Sequence, residues 1–222
     1  MKLKIRVCRL FGMGVYLHAT FAILVAYYVW GLVKEDILCG AIVLASILAH
    51  EVAHAAAGRM LGMTPVRITF HGLGACVRFR REIGNDWRGA LIVFAGPCMN
   101  LLIAAVAWAG MAFSRDLFHC VRSAFCYICI VNLIIGGFNL LPAYPLDGGK
   151  LFRWFVSLMT NKRMASFFVM CVGIVLSAAY VGWECYNAFN YGEIVDLFFA
   201  LTIAAVVVLA CWLEYSISRS AT

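Results

Sequence analysis

Residues 37–57 read ILCGAIVLASILAHEVAHAAA, and this stretch decides both the environment of the chain and its chemistry. From Ile37 to Ala49 the only polar side chain is Ser46, so the segment is apolar enough to enter a bilayer. It then runs Ala49-His50-Glu51-Val52-Ala53-His54-Ala55. On a helix, residues i and i+4 project from one face a turn apart, so the imidazoles of His50 and His54 can reach one metal ion. Glu51 lies about 100° round the helix from His50, close enough to take a proton from water activated there without being a ligand. This H-E-x-x-H pattern is the signature of zinc hydrolases. Small residues around it, Ala49, Ala53 and Ala55–Ala57, allow a neighbouring helix to approach.

The rest of the chain places that helix in a membrane. The 222 residues are 64% hydrophobic and 13% charged, against roughly 45–50% and 25% in water-soluble domains. The mean hydropathy is +0.92. The apolar surplus must face lipid, which excludes a secreted disulfide scaffold, a disordered regulator and a nucleic-acid-binding domain despite the net charge of +7. Six long stretches are free of charge but for Glu51, at about residues 15–33, 37–57, 89–113, 123–141, 164–183 and 197–213. They predict an all-α polytopic membrane protein of six transmembrane helices, a single domain over residues 1–222. The basic N-terminus MKLKIRVCRL reads as the flank of a retained first span, since no cleavage site follows. Fifteen of the Lys and Arg residues fall in the tails and alternate loops and three in the others, so the positive-inside rule puts both termini in the cytosol. Glu51 is the one acidic residue within any of these spans, and an ionisable group at membrane depth marks a functional site. The ten cysteines have no framework spacing, and Cys39, Cys98, Cys126, Cys129, Cys171 and Cys211 sit in apolar runs as small hydrophobes.

Two loops are more than connectors. Residues 66–80, VRITFHGLGACVRFR, alternate apolar and polar around a turn containing Gly72 and Gly74, which predicts a membrane-associated β-hairpin after the second helix. Its edge can receive an extended substrate by strand addition. Residues 140–150, LLPAYPLDGGK, predict a broken, Pro-rich loop after the fourth helix. A zinc site needs a third protein ligand. The candidates are His18, His71, His119 and Asp147, of which Asp147 has the best context: Pro142 and Pro145 forbid regular helix before it and Gly148-Gly149 permits a tight turn after it.

His50-Glu51-x-x-His54 in one span, Gly96-Pro97-x-x-Asn100 in the next, and Asn139-Leu140-Leu141-Pro142-x-x-Pro145-Leu146-Asp147-Gly148-Gly149 after the fourth together resemble the site-2 protease family of intramembrane metalloproteases. The likeness is strongest to its bacterial sporulation branch, which processes the sigma-K precursor. The resemblance implies one Zn2+ held by His50, His54 and Asp147, with Glu51 as general base. It implies that Asn139, Pro142 and Pro145 shape a substrate-positioning loop. Asn100 or Asn139 is a candidate hydrogen-bond donor to the developing oxyanion. The implied activity is an intramembrane zinc metalloendopeptidase cleaving a membrane-tethered pro-protein, a sigma-factor precursor or an anti-sigma factor, near the cytosolic face. Membrane inhibitor or regulatory proteins are the implied partners, the lipid bilayer of a bacterial cell membrane is the location, and nucleic acid is not a partner. No CBS or PDZ domain is expected. Three alternatives compete: a membrane zinc protease that takes its third ligand from Glu184, Glu193 or Glu214, a metal-binding transporter, and a catalytically inactive scaffold of the same fold. None of those glutamates opens a helical ligand motif, the fifth and sixth spans hold almost no polar residues for a transport path, and Glu51 is intact.

Overall fold

A computed structural model describes residues 4–10, 12–21, 37–71, 74–81, 83–113, 119–191 and 194–220. The chain divides into two compact units, Met1–Gly137 and Phe138–Thr222.

The first unit joins a sheet to membrane-length helices. Strands β1 (Lys4–Leu10) and β2 (Met13–His18) precede helix α1 (Ile37–Met60), and β3 (Pro65–His71) and β4 (Gly74–Phe79) follow it. The four strands form one sheet in the order β1-β2-β3-β4. β1 and β2 are antiparallel, joined through Gly12, whose φ of +80° lies in the left-handed region that favours glycine. β2 and β3 are parallel, which the long connection through α1 allows and a tight turn would not. β3 and β4 are antiparallel. Alternation sorts the side chains. Val15 stands opposite Ile68 and Leu17 opposite Phe70, and Met13, Val15, Ile68 and Phe70 pack with Ala55 of α1 into an apolar cluster. On the alternate positions Gly14 lies between Arg9 and Arg67, and Arg67 opposes Arg78.

Here the structure corrects the sequence reading. Residues 15–18, assigned to the start of the first span, belong to β2, and the basic flank before them is β1. The sequence Val15-Tyr16-Leu17-His18 alternates at period two, and hydrogen bonding to strands on both sides outweighs its hydrophobicity. Residues 22–33 of that span lie outside the described residues. The expected lone hairpin is half of a larger sheet; Gly72 lies outside the described residues, and Gly74 pairs with His71 at the start of β4.

Helix α2 (Trp87–Phe113) and helix α3 (His119–Asn139) complete this part of the chain. They meet through Ala104, Ala107 and Cys129. Cys129 is buried as a small apolar side chain while Cys126 is exposed, so the pair at i and i+3 does not share an environment.

In the second unit, helices α4 (Asp147–Ser157), α5 (Lys162–Tyr191) and α6 (Ile194–Ser220) follow the Pro-rich loop. The Tyr144–Pro145 peptide is cis. A Cβ built on Gly148 falls 2.2 Å from the Leu140 carbonyl oxygen, and one on Gly149 falls 2.6 Å from the Ala143 carbonyl carbon. The Asp-Gly-Gly sequence is therefore what lets the loop fold back over the start of its own helix. Arg153 pairs with Glu214 of α6 and lies 6.0 Å over the Tyr144 ring. Tyr144, Val169 and Cys211 form the buried centre beside them.

Among the described residues five helices are long and apolar enough to cross a membrane, at Leu38–Met60, Trp87–Phe113, Val121–Asn139, Lys162–Tyr191 and Asp196–Arg219. They expose Leu102, Val106, Trp108, Ile134, Val175 and Phe198, an apolar surface suited to lipid and not to water. The chain is an integral membrane protein.

Candidate metal centre

Helix α1 carries His50 and His54 on one buried face, 4% and 7% exposed. Their rings stand edge to face, 4.7 Å between centroids, and their Nε2 atoms are 3.0 Å apart. Each ring turns its other nitrogen to an oxygen. Nδ1–H of His54 donates to the carbonyl of Ile92 at 2.7 Å, and Nδ1–H of His50 donates to Oδ1 of Asn100 at 2.5 Å. A backbone carbonyl only accepts, so the His54 hydrogen belongs on Nδ1 and its Nε2 is unprotonated, carrying a lone pair. With both imidazoles in that tautomer two lone pairs face each other, which is repulsive unless a cation stands between them. Two zinc–nitrogen bonds of about 2.0–2.1 Å at a tetrahedral angle put the nitrogens about 3.3 Å apart. The donor set fits a divalent metal.

Space for an ion is kept by Gly96 of α2. A Cβ there falls 2.3 Å from the Nε2 atom of His54 and 2.6 Å from that of His50. Any larger residue puts carbon where a ligand of the imidazoles must be. Pro97 follows inside the same helix and is buried. Glu51, one residue after His50, is 6% exposed.

Asp147 is the first residue of α4, where a carboxylate complements the helix dipole, and it too is 6% exposed. Lys150, one turn on, donates to its Oδ1 at 2.9 Å.

The other sequence candidates stand elsewhere. His18 bonds through Nδ1 to Thr20 Oγ1. His71 closes β3 with Nε2 3.4 Å from Cys76 Sγ; partial burial, then the nearby charges of His18 and Lys4, push its pKa below the usual histidine value. Glu214 is engaged with Arg153. In the loop, Asn139 ends α3 half-buried, Pro142 is half-buried and Pro145 exposed. Asn100 is fully buried, with Oδ1 facing His50 and its amide nitrogen donating to Asn132 Oδ1 at 2.8 Å and the Ser46 carbonyl at 3.4 Å. Sequence reasoning missed Ser46, Ile92 and Asn132. Two of these are polar residues in apolar spans, and that was the signal available; a backbone carbonyl leaves none.

Residues 39–117 and 114–180 match Peptidase family M50, well over half of the chain. The Rip3 protein of Mycobacterium tuberculosis is 37% identical over 113 residues, 50% of this chain and 28% of that protein. Zinc metalloprotease MJ0392 of Methanocaldococcus jannaschii is 26% identical over 162 residues, 71% of this chain and 47% of that protein. Stage IV sporulation protein FB of Bacillus subtilis is 29% identical over 106 residues, 47% of this chain and 35% of that protein. The matches thus span less than half the length of these relatives. Among solved structures, the site-2 protease from Methanocaldococcus jannaschii matches with a TM-score of 0.66 at 21% identity, over 96% of this chain and 95% of that one. The likeness is one of fold.

Proposed function

Since the chain belongs to Peptidase family M50, the site-2 proteases, we propose that it is an intramembrane zinc endopeptidase that hydrolyses a peptide bond of a membrane-tethered protein. One observation carries the reading: two buried imidazoles on one helix, both with Nδ1 turned to oxygen and their Nε2 atoms 3.0 Å apart, next to a buried glutamate. His50, His54 and Asp147 hold one Zn2+. When bound, zinc polarises the scissile carbonyl and makes water a nucleophile near neutral pH. Glu51 takes a proton from the attacking water and delivers it to the leaving amine nitrogen. Asn100 spends its amide on His50, Asn132 and Ser46, so it orients a ligand; donation to the oxyanion falls to Asn139.

A peptide bond within a helix is shielded, so the substrate must unwind, and its freed backbone groups then need partners. Strand β4 is an edge of the sheet, and it accepts the extended segment by strand addition. Gly72 and Gly74 contribute to substrate binding beside it, and the loop Asn139–Pro145 receives the other side. The substrate is a sigma-factor precursor or an anti-sigma factor, cut near the cytosolic face, with both termini of the protease in the cytosol of a bacterial cell and membrane proteins as its regulators.

The test is Glu51→Gln in full-length protein, assayed for metal content and for cleavage of a membrane-tethered reporter. A protease keeps zinc and loses turnover by at least about 10^3-fold. A metal transporter retains its metal flux in this variant, and an inactive scaffold shows no cleavage even in the wild type. Either result overturns the assignment.

A further inference from the structure

Asn132 lies in the middle of α3, is 0% exposed, and belongs to no motif of the site. It nevertheless ends one arm of a hydrogen-bond chain that starts at a metal-binding histidine. His50 Nδ1–H donates to Asn100 Oδ1 at 2.5 Å. Asn100 Nδ2 donates to Asn132 Oδ1 at 2.8 Å and to the Ser46 carbonyl at 3.4 Å. Asn132 Nδ2 donates to Ser46 Oγ at 3.0 Å and to the Ile128 carbonyl at 2.9 Å. Ser46 Oγ–H in turn donates to the Ile42 carbonyl at 2.8 Å.

Every bond in this chain points the same way, and the reason is fixed at its ends. The carbonyls of Ile42, Ser46 and Ile128 are acceptors only. Ser46 must therefore spend its hydrogen on Ile42 and accept from Asn132. If the Asn132 amide were turned over, its oxygen would face the Ile128 carbonyl and Ser46 Oγ, lone pair against lone pair. Its orientation being set, Oδ1 faces Asn100, and Asn100 must present its own Nδ2 there. Only Oδ1 of Asn100 is then left for His50. An oxygen that can only accept requires hydrogen on His50 Nδ1, which leaves Nε2 unprotonated, the form that can ligate a metal.

We propose that Asn132 is a positioning residue for the metal centre: through Asn100 it locks His50 in the Nδ1–H tautomer that exposes Nε2 as a ligand. The lock is built from side chains of α1, α2 and α3, and its reference points are backbone carbonyls that cannot change roles. It rests on the zinc-protease reading for its purpose but not for its geometry.

The experiment uses full-length protein in detergent, wild type beside Asn132→Leu and Asn132→Asp. Leucine fills the volume and removes both bonds. As the neutral acid, aspartate keeps an acceptor for Asn100 and turns an O–H donor towards Ser46 Oγ and the Ile128 carbonyl, so the orientation of Asn100 survives. Zinc affinity of the metal-free protein is measured by chelator competition, and the His50 tautomer by nitrogen-15 spectra of histidine-labelled, metal-free protein. The expected result for Asn132→Leu is a 10–100-fold loss of zinc affinity and a mixed His50 tautomer. For cleavage, kcat falls while KM stays. Asn132→Asp retains the Nδ1–H signature and stays within a few-fold of wild-type affinity. Wild-type zinc affinity and tautomer in Asn132→Leu overturn the proposal. So does a tautomer change in Asn132→Asp equal to that in Asn132→Leu, since that assigns Asn132 to packing alone. If Asn132→Leu does not fold, Asn132→Asp and Ser46→Ala decide, the latter expected to mix the tautomer in part because it removes one of the two acceptors of Asn132 Nδ2 and leaves the Ile128 carbonyl. A wild type that binds no zinc but shows the locked tautomer defeats the protease reading and leaves the lock standing.

Discussion

Among single residues, the one with least chemistry constrains the site most. Gly96 has no side chain, and the missing Cβ is what leaves room beside His50 and His54, whose Nε2 atoms would stand 2.6 and 2.3 Å from it. The imidazoles cannot swing away cheaply, because their Nδ1 hydrogens are held by Asn100 and Ile92. Gly96→Ala is expected to weaken zinc binding about 10–100-fold and to lower cleavage with it, while the helix, which prefers alanine, still forms. Chelator titration and circular dichroism check the two halves of that expectation; unaltered zinc affinity refutes it. His50, Glu51 and His54 stood out in the sequence because helical spacing alone brings the two histidines to one face with Glu51 about 100° round from His50. Asp147 stood out through the prolines and glycines around it, which mark an irregular backbone. Asn132 and Ser46 did not, because a polar residue in an apolar span reads equally well as a helix bridge. Only the direction of their hydrogen bonds tells what they set.

At the level of elements, the sheet is where sequence and structure part. The spans at residues 37–57, 89–113, 123–141, 164–183 and 197–213 reappear as α1, α2, α3, α5 and α6, since a long uncharged run in a membrane has no alternative to helix. β1 and β2 escaped because a short basic alternating segment next to an apolar run resembles a targeting flank. Their signal, Ile5 and Val7 alternating with Lys4 and Arg6, was present at period two. The exposed edge of β4 makes a prediction of its own. Val77 stands opposite Ile68 in the β3–β4 register, and Val77→Pro removes a backbone donor and bends the edge strand. Cleavage of a membrane-tethered reporter is expected to fall at least several-fold with zinc content unchanged. Full turnover in that variant rules out strand addition at β4.

For the molecule as a whole, composition already separated membrane from water, and its mean hydropathy of +0.92 agrees with the five helices among the described residues that are able to span a bilayer. The sequence could not reveal the four-stranded sheet, because pairing between residues 14–17 and 67–70 is non-local. A metal bound only by the folded protein adds stability by mass action, about 2.7 kcal/mol at a free concentration 100 times Kd. Zinc removal by a chelator is thus expected to lower Tm by roughly 5–11 °C, and added zinc to restore it; an unchanged Tm with metal demonstrably lost argues against a site coupled to folding. The parallel pairing of β2 with β3 has a consequence for biosynthesis. Forty-six residues, from Ala19 to Thr64, separate the two strands, and the helix bearing His50 and His54 is among them. At about 5–20 residues per second of synthesis, β2 waits roughly 2–9 s for its neighbour to leave the ribosome. Through that interval the nascent hairpin keeps an open seam, and the sheet closes only after the histidine-bearing helix has already been made.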